Sequence, residues 1–159
     1  MTDEELQVMK SALRLLTRRP HSRRELIDKL MAREFRYPAV LAVIGECEKR
    51  GYLNDRQMAE DYAVELAARG HGDFKIKLKM RAKGLPAALI EEELAGLGET
   101  SPASERALQS LERKMPALNR EPDPRKRREK AYRFLASRGF DGEAIRNAID
   151  RMGDSDEYH

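Results

Sequence analysis

The chain has 159 residues and a formal net charge of +3, with 37% charged residues, 40% hydrophobic residues and no tryptophan. That apolar content excludes wholesale disorder and rests the core on Leu, Ile, Ala and Met; the longest charge-free run, Tyr37 to Gly45, is nine residues, far short of the ~20 that span a bilayer. One cysteine, Cys47, excludes an internal disulfide and a cysteine-built zinc cage, and the acidic start MTDEELQVMK lacks the layout of a signal peptide, so the expectation is a soluble chain in the reducing cytoplasm.

Helix signals recur along the whole length. Thr2 with Glu5 reads as a capping box that opens a helix over 3–17, and Ser22 with Glu25 opens a second over 22–34. Pro38 suits the first turn of a third, 38–49, which Gly51 stops. Cys47 on this helix reads as a small core residue. Gly51-Tyr52-Leu53-Asn54-Asp55 forms a corner in which Tyr52 and Leu53 pack between neighbouring helix groups, and Asn54 with Gln57 caps a fourth helix over 55–69. The run FKIKLKMRAK, Phe74 to Lys83, alternates apolar and basic residues as a strand would. No other stretch offers it a partner, and Lys, Leu, Met and Ala are good helix formers. A helix over 73–83 is therefore expected, packed on two sides, with Phe74, Leu78 and Ala82 on one and Ile76 and Met80 on the other. Four more follow over 86–95, 102–117, 124–138 and 142–152, with Pro86, Pro102 and Pro124 at their starts and Gly139 and Gly153 at stops. The Gly-, Ser-, Pro- and Asn-rich stretches 96–104 and 118–124 read as flexible joints, and 154–159 as a disordered tail.

The helices repeat in threes. A shift of 55 residues lays Met80, Lys83, Gly84 and Leu85 on Leu135, Arg138, Gly139 and Phe140. A shift of 50 lays Leu26, Leu30, Arg33 and Phe35 on Ile76, Met80, Lys83 and Leu85. The expected fold is all-α, a tandem array of three three-helix repeats (1–51, 52–97 and 98–153) forming an elongated curved chain, each trio with a small core of its own. Glu34 stands where the other trios have Gly84 and Gly139, so the first trio's turn is expected to differ.

Charge is clustered. Residues 10–24 carry +6, 69–83 carry +5 and 125–138 carry +6, so these windows total +17 and the remainder −14. Such clustering focuses a field on a polyanion even when the total is small. The candidate contacts are Arg18, Arg19, Arg23 and Arg24; Lys75, Lys77, Lys79, Arg81 and Lys83; and Arg125, Lys126, Arg127, Arg128 and Lys130. Candidates for catalysis are thin: His21 and His71 sit at equivalent places before the second helices and read as polar turn residues, and Glu91 to Glu93 as a solvated face. No HExxH, nucleotide-binding glycine loop or Ser/His/Asp order occurs, so neither an enzyme nor a metal or cofactor is expected.

Several spaced blocks resemble one family. The run Ala12-Leu13 to Leu26, with Leu16, Arg18, Arg19, Pro20, His21, Ser22, Arg23, Arg24 and Glu25, is similar to the opening of the RecX family of bacterial recombinase regulators. GYLND followed by Ala59 and Tyr62 resembles its second block, and LKMRAKGLPAALIEEEL its third. Met58 departs from the pattern, where an aromatic is usual, as does Glu34. The resemblance implies tandem three-helix repeats, no catalysis, and a monomer that binds the RecA–DNA filament and limits its activity in repair, recombination and the SOS response. Its partners would be RecA and single-stranded or double-stranded DNA, with no membrane. Two rivals remain open from the residues alone: a helix-turn-helix DNA reader acting without a recombinase, and a helical scaffold for protein partners.

Overall fold

The computed structural model describes residues 1–157, and among these every regular element is helical. In chain order they are α1 (Asp3–Arg18), α2 (Arg23–Met31), α3 (Tyr37–Lys49), α4 (Asp55–Ala68), α5 (Asp73–Ala82), α6 (Ala87–Thr100), α7 (Ala103–Leu118), α8 (Pro124–Ser137) and α9 (Gly142–Glu157). FKIKLKMRAK is thus helical as far as Ala82, with Lys83 in the turn, its period-two pattern overridden by helix propensity and by the lack of a partner strand. Both capping boxes form, with Thr2 and Ser22 each accepting from the amide of the glutamate three residues on. Asn54 accepts from the Gln57 amide at 3.0 Å, whereas the Gln57 side chain turns to Asp61.

Two compact units divide the helices. The first takes Met1–Asp61 and Met80–Ile90, the second Tyr62–Lys79 and Glu91 onward. In the first, Val8, Ala12 and Leu15 of α1 bury their shared face against Leu26 and Leu30 of α2 and Val40, Val43, Ile44 and Cys47 of α3. In the second, Ala107 and Leu111 of α7 meet Ala131 and Leu135 of α8 and Ile145 and Ala148 of α9. The middle trio differs from the expectation of a core per trio. Its buried residues are shared out, with Met80, Leu85 and Ile90 in the first unit and Ala63, Leu66 and Ile76 in the second.

One turn recurs between the second and third helices of every trio. Gly84 and Gly139 have φ of +79 and +93, and Glu34 takes the same left-handed region at φ 66. The first turn therefore does not differ in backbone. What differs is its surroundings. A Cβ on Gly84 would lie 2.9 Å from the Cβ of Arg24, and one on Gly139 would lie 2.6 Å from the Lys75 backbone nitrogen. Each glycine turn packs on the start of the preceding trio's second helix. The last carbonyl before each turn is bound there too: Lys83 O accepts from Ser22 Oγ, and Arg138 O accepts from the Gly72 amide at 2.7 Å. Exposed Glu34 keeps its side chain, whereas a Cβ at the other two positions would run into Arg24 or Lys75.

Several local expectations change. Phe74 and Leu78 are 67% and 48% exposed, so α5 buries one side, Ile76 and Met80, rather than two. Gly96 and Gly98 lie inside α6, which shortens the 96–104 joint to Ser101 and Pro102. At the corner Leu53 is buried, but Tyr52 is 47% exposed. Helix α9 passes Gly153 and runs to Glu157, into the segment expected to be disordered; Tyr158 and His159 lie outside the described residues.

Candidate nucleic-acid interface

Among the described residues, the cations expected to meet a polyanion fall into three situations. In the first unit, Arg23 and Arg24 at the start of α2 join Arg81 of α5 around a cavity of about 460 Å³, bordered by Gly84, Leu85 and Pro86. The glycine turn brings two sequence-distant charge windows together here. The stem of Arg24 lies over Gly84 and its guanidinium has no described carboxylate partner, although Asp55 also lines the cavity. Arg81 is likewise exposed and without one. Arg23 is committed: its amide donates to Asp55 at 2.9 Å and its side chain pairs with Glu48 at 3.1 Å. Arg18 is exposed, whereas Arg19 pairs with Glu25 at 2.9 Å. The Lys83 carbonyl is part of the repeat contact with Ser22.

In the second unit, Lys75 and Lys79 of α5 are half-buried and have no described carboxylate partner; Lys75 Nζ approaches Ser137 O at 3.4 Å. Lys77 pairs with Glu91 at 3.1 Å. Exposed Phe74 and Leu78 complete an apolar strip on the same helix.

Helix α8 is less available than its sequence implies. Lys130 pairs with Glu121 at 2.8 Å, Arg128 with Asp150 at 3.2 Å and Arg125 with Glu129 at 3.8 Å. Arg127 donates from Nε and a terminal nitrogen to the Glu121 carbonyl, at 3.1 and 2.9 Å. Lys126 alone of the five is exposed with no described carboxylate partner. These exposed pairs are screened by solvent and a phosphate could replace them, but they lower the field that the helix presents.

The two histidines are buried rather than simple turn residues, at 3% for His21 and 8% for His71. His21 Nδ1 lies 3.0 Å from Arg19 O and Nε2 lies 2.9 Å from Lys29 Nζ. That geometry fits a neutral ring donating from Nδ1 and accepting at Nε2. Burial, with the charges of Arg19 and Lys29 behind it, holds its pKa below the ordinary value. His71 Nδ1 has no hydrogen-bond partner among the described residues, and the His71 carbonyl accepts from Arg106 at 3.3 Å. Arg106 escaped the sequence reading because it falls outside every basic window; it is 3% exposed, donates to Ser101 O at 2.9 Å and pairs with Asp73. It fixes the start of α5, which carries Lys75 and Lys79.

Three-helix domains in tandem, joined by a repeated turn contact and bearing on their second helices cations with no described carboxylate partner, define a helical-repeat protein. The chain belongs to the RecX family. Its residues 9–47, 54–94 and 104–149 match the family's first, second and third three-helix domains. It is similar to the regulatory protein RecX of Chlorobium phaeobacteroides, 32% identical over 89% of this chain and 90% of the relative. The regulatory protein RecX of Chromohalobacter salexigens is 33% identical over 94% and 95%. The fold matches the crystal structure of RecX from Lactobacillus salivarius with a TM-score of 0.84 at 21% identity, covering 96% of this chain and 99% of that one. No helix among the described residues is long and apolar enough to cross a membrane.

Proposed function

We propose that this chain is a non-enzymatic regulator that binds the RecA–DNA filament and lowers its ATP turnover and strand exchange. The observation that carries the reading is the match of all three domains, in order, to a family whose curated relatives are regulatory proteins. The charge distribution supports it. Unpaired cations occur in both units, at Arg24 and Arg81 in one and at Lys75, Lys79 and Lys126 in the other, so each unit offers its own weak contact with a polyanion. Weak contacts joined in one chain raise one another's effective concentration and suit a repeating partner. Lysine and arginine without Asn or Gln beside them favour phosphate contact over base reading, which separates this function from a helix-turn-helix reader.

The test is filament ATPase activity on single-stranded DNA, titrated with the intact chain at fixed salt. Inhibition by the intact chain, weakened in an Arg81→Glu and Lys126→Glu double variant that retains its helicity, is the expected result. An uninhibited ATPase at saturating chain would remove the assignment. DNA binding with no effect on the recombinase would transfer it to the reader acting alone.

A further inference from the structure

A second cationic cleft lies in the second unit, where the end of α4 meets α7 and the end of α8. It encloses about 200 Å³ and is lined by four cations, Arg69, Arg113, Lys114 and Arg138, with no carboxylate among its lining residues. Arg113 and Lys114 lie outside all three basic windows of the sequence.

The side chains are held in place without being neutralised. Arg113 donates to the Ala68 carbonyl at 3.4 Å, near the end of α4. Lys114 Nζ and Arg138 Cζ stand 5.2 and 5.5 Å from the centroid of the Phe134 ring, contacts that orient a cation and leave its charge intact. Ser110 is 4% exposed and its Oγ donates to Gly70 O at 3.2 Å. Gly70 is at φ +87, and a Cβ there would come within 2.9 Å of that hydroxyl. Only Arg69 has a described acidic partner, Glu65 one turn before it, in an exposed pair. Converged like charges raise one another's energy until an anion joins them.

We propose that this cleft is a phosphate-binding site, filled by the backbone of a single nucleic-acid strand. The proposal rests on the filament-regulator reading and adds to it a specific point of DNA contact. Guanidinium forks match phosphate oxygens in shape as well as charge. A strand suits the site better than an isolated anion because the cations continue beyond it. Lys75 Nζ of α5 lies 3.4 Å from the carbonyl of Ser137, the residue before Arg138 of the cleft, so the α5 cations adjoin it. A polymer of phosphates can engage both sets at once.

The experiment is binding of a fluorescent oligothymidylate to the full chain, without recombinase, across a salt series. Arg113→Glu is compared with Arg120→Glu, an exposed reversal of equal charge outside the cleft. Arg113→Glu should weaken binding by roughly tenfold and flatten the log–log salt slope by about 0.7, the value for one phosphate on a single strand. Arg120→Glu should change affinity less than about twofold. Circular dichroism checks that both variants fold, and Arg113→Lys should restore part of the loss. Equal losses from the two reversals would reduce the cleft to a share of the general field and overturn the site, as would an Arg113→Glu variant that leaves both oligothymidylate and inorganic pyrophosphate binding unchanged. Competition by polyglutamate as strong as by oligothymidylate would overturn it in favour of a carboxylate. Binding of inorganic pyrophosphate that Arg113→Glu abolishes, with oligothymidylate unaffected, would keep the phosphate site and assign it to free polyphosphate. Failure of the intact chain to inhibit the filament while Arg113→Glu still lowers DNA affinity would sink the regulator reading alone.

Discussion

At the scale of single residues, the repeat exposes its own exceptions. Exposed Glu34 holds φ 66, so it carries the strain of a left-handed side chain, whereas close approach makes glycine necessary at 84 and 139. Glu34→Gly should stabilise the chain by about 1 kcal/mol, which thermal melting would read as a rise of roughly 2–4 °C. Arg106 is the reverse case. Its buried guanidinium serves two carbonyls and Asp73, so Arg106→Ala should cost roughly 2–3 kcal/mol in urea denaturation, with Arg106→Lys recovering little. The histidines add a pH dependence. His21 and His71 both have folded pKa values held below the ordinary one, so the unfolded chain binds more protons once pH drops into the imidazole range. Stability should be full above about pH 7 and fall as pH descends through roughly 6.5, and His21→Gln should flatten that slope. Glu25 is lowered as well, against its own burial, by its bond to Arg19, but its stabilisation is lost only further down, in the carboxylate range.

At the scale of the element, α5 shows how far period can mislead. Alternating apolar and basic residues wind into a helix whose buried side is Ile76 and Met80 alone. Its three lysines are then unequal, because Lys77 meets Glu91 while Lys75 and Lys79 have no described acid. Single reversals should separate them. Lys79→Glu should lower DNA affinity and reduce the salt slope by about 0.7, whereas Lys77→Gln should do much less. Identical effects would mean that the ion pair does not persist in solution. Helix α8 carries the largest net positive charge of the helices, but Arg125, Arg128 and Lys130 are paired with acids, so Lys126→Glu should be its most damaging single change for binding. Arg127 is unsuitable for a charge reversal, since both its bonds to the Glu121 carbonyl would be lost and the fold would be probed instead.

At the scale of the molecule, the third trio cannot be removed cleanly. Ending the chain after Leu97 would delete Arg106, Arg138 and Gly139, which bind His71, Asp73, Gly72 and Phe74 at the start of α5. Such a truncation should lose more helix, by circular dichroism, than the residues removed account for, as α5 frays with them. A loss matching only α7, α8 and α9 would show that the second trio holds its start unaided. Point changes on the exposed cations are therefore the sounder way to ask what each unit contributes to inhibition.

The order of the nine helices among the described residues, two reciprocal capping boxes and the spacing of the three trios were legible in the sequence. Caps, glycine stops and apolar spacing act within a few residues, and the repeat supplied internal comparisons for each. Family membership was legible for the same reason, through spaced blocks such as GYLND and the run from Ala12 to Leu26. Tertiary structure decided what local pattern could not carry. It decided that middle-trio residues are divided between two units, and that Arg24 and Arg81 share a cavity. It decided that Arg113 and Lys114 converge with Arg69 and Arg138 although they lie far apart along the chain. Charge counted along a sequence measures how many cations are near one another in order; whether each meets a carboxylate, a ring or open solvent depends on the helix packed beside it, and only the fold chooses that neighbour.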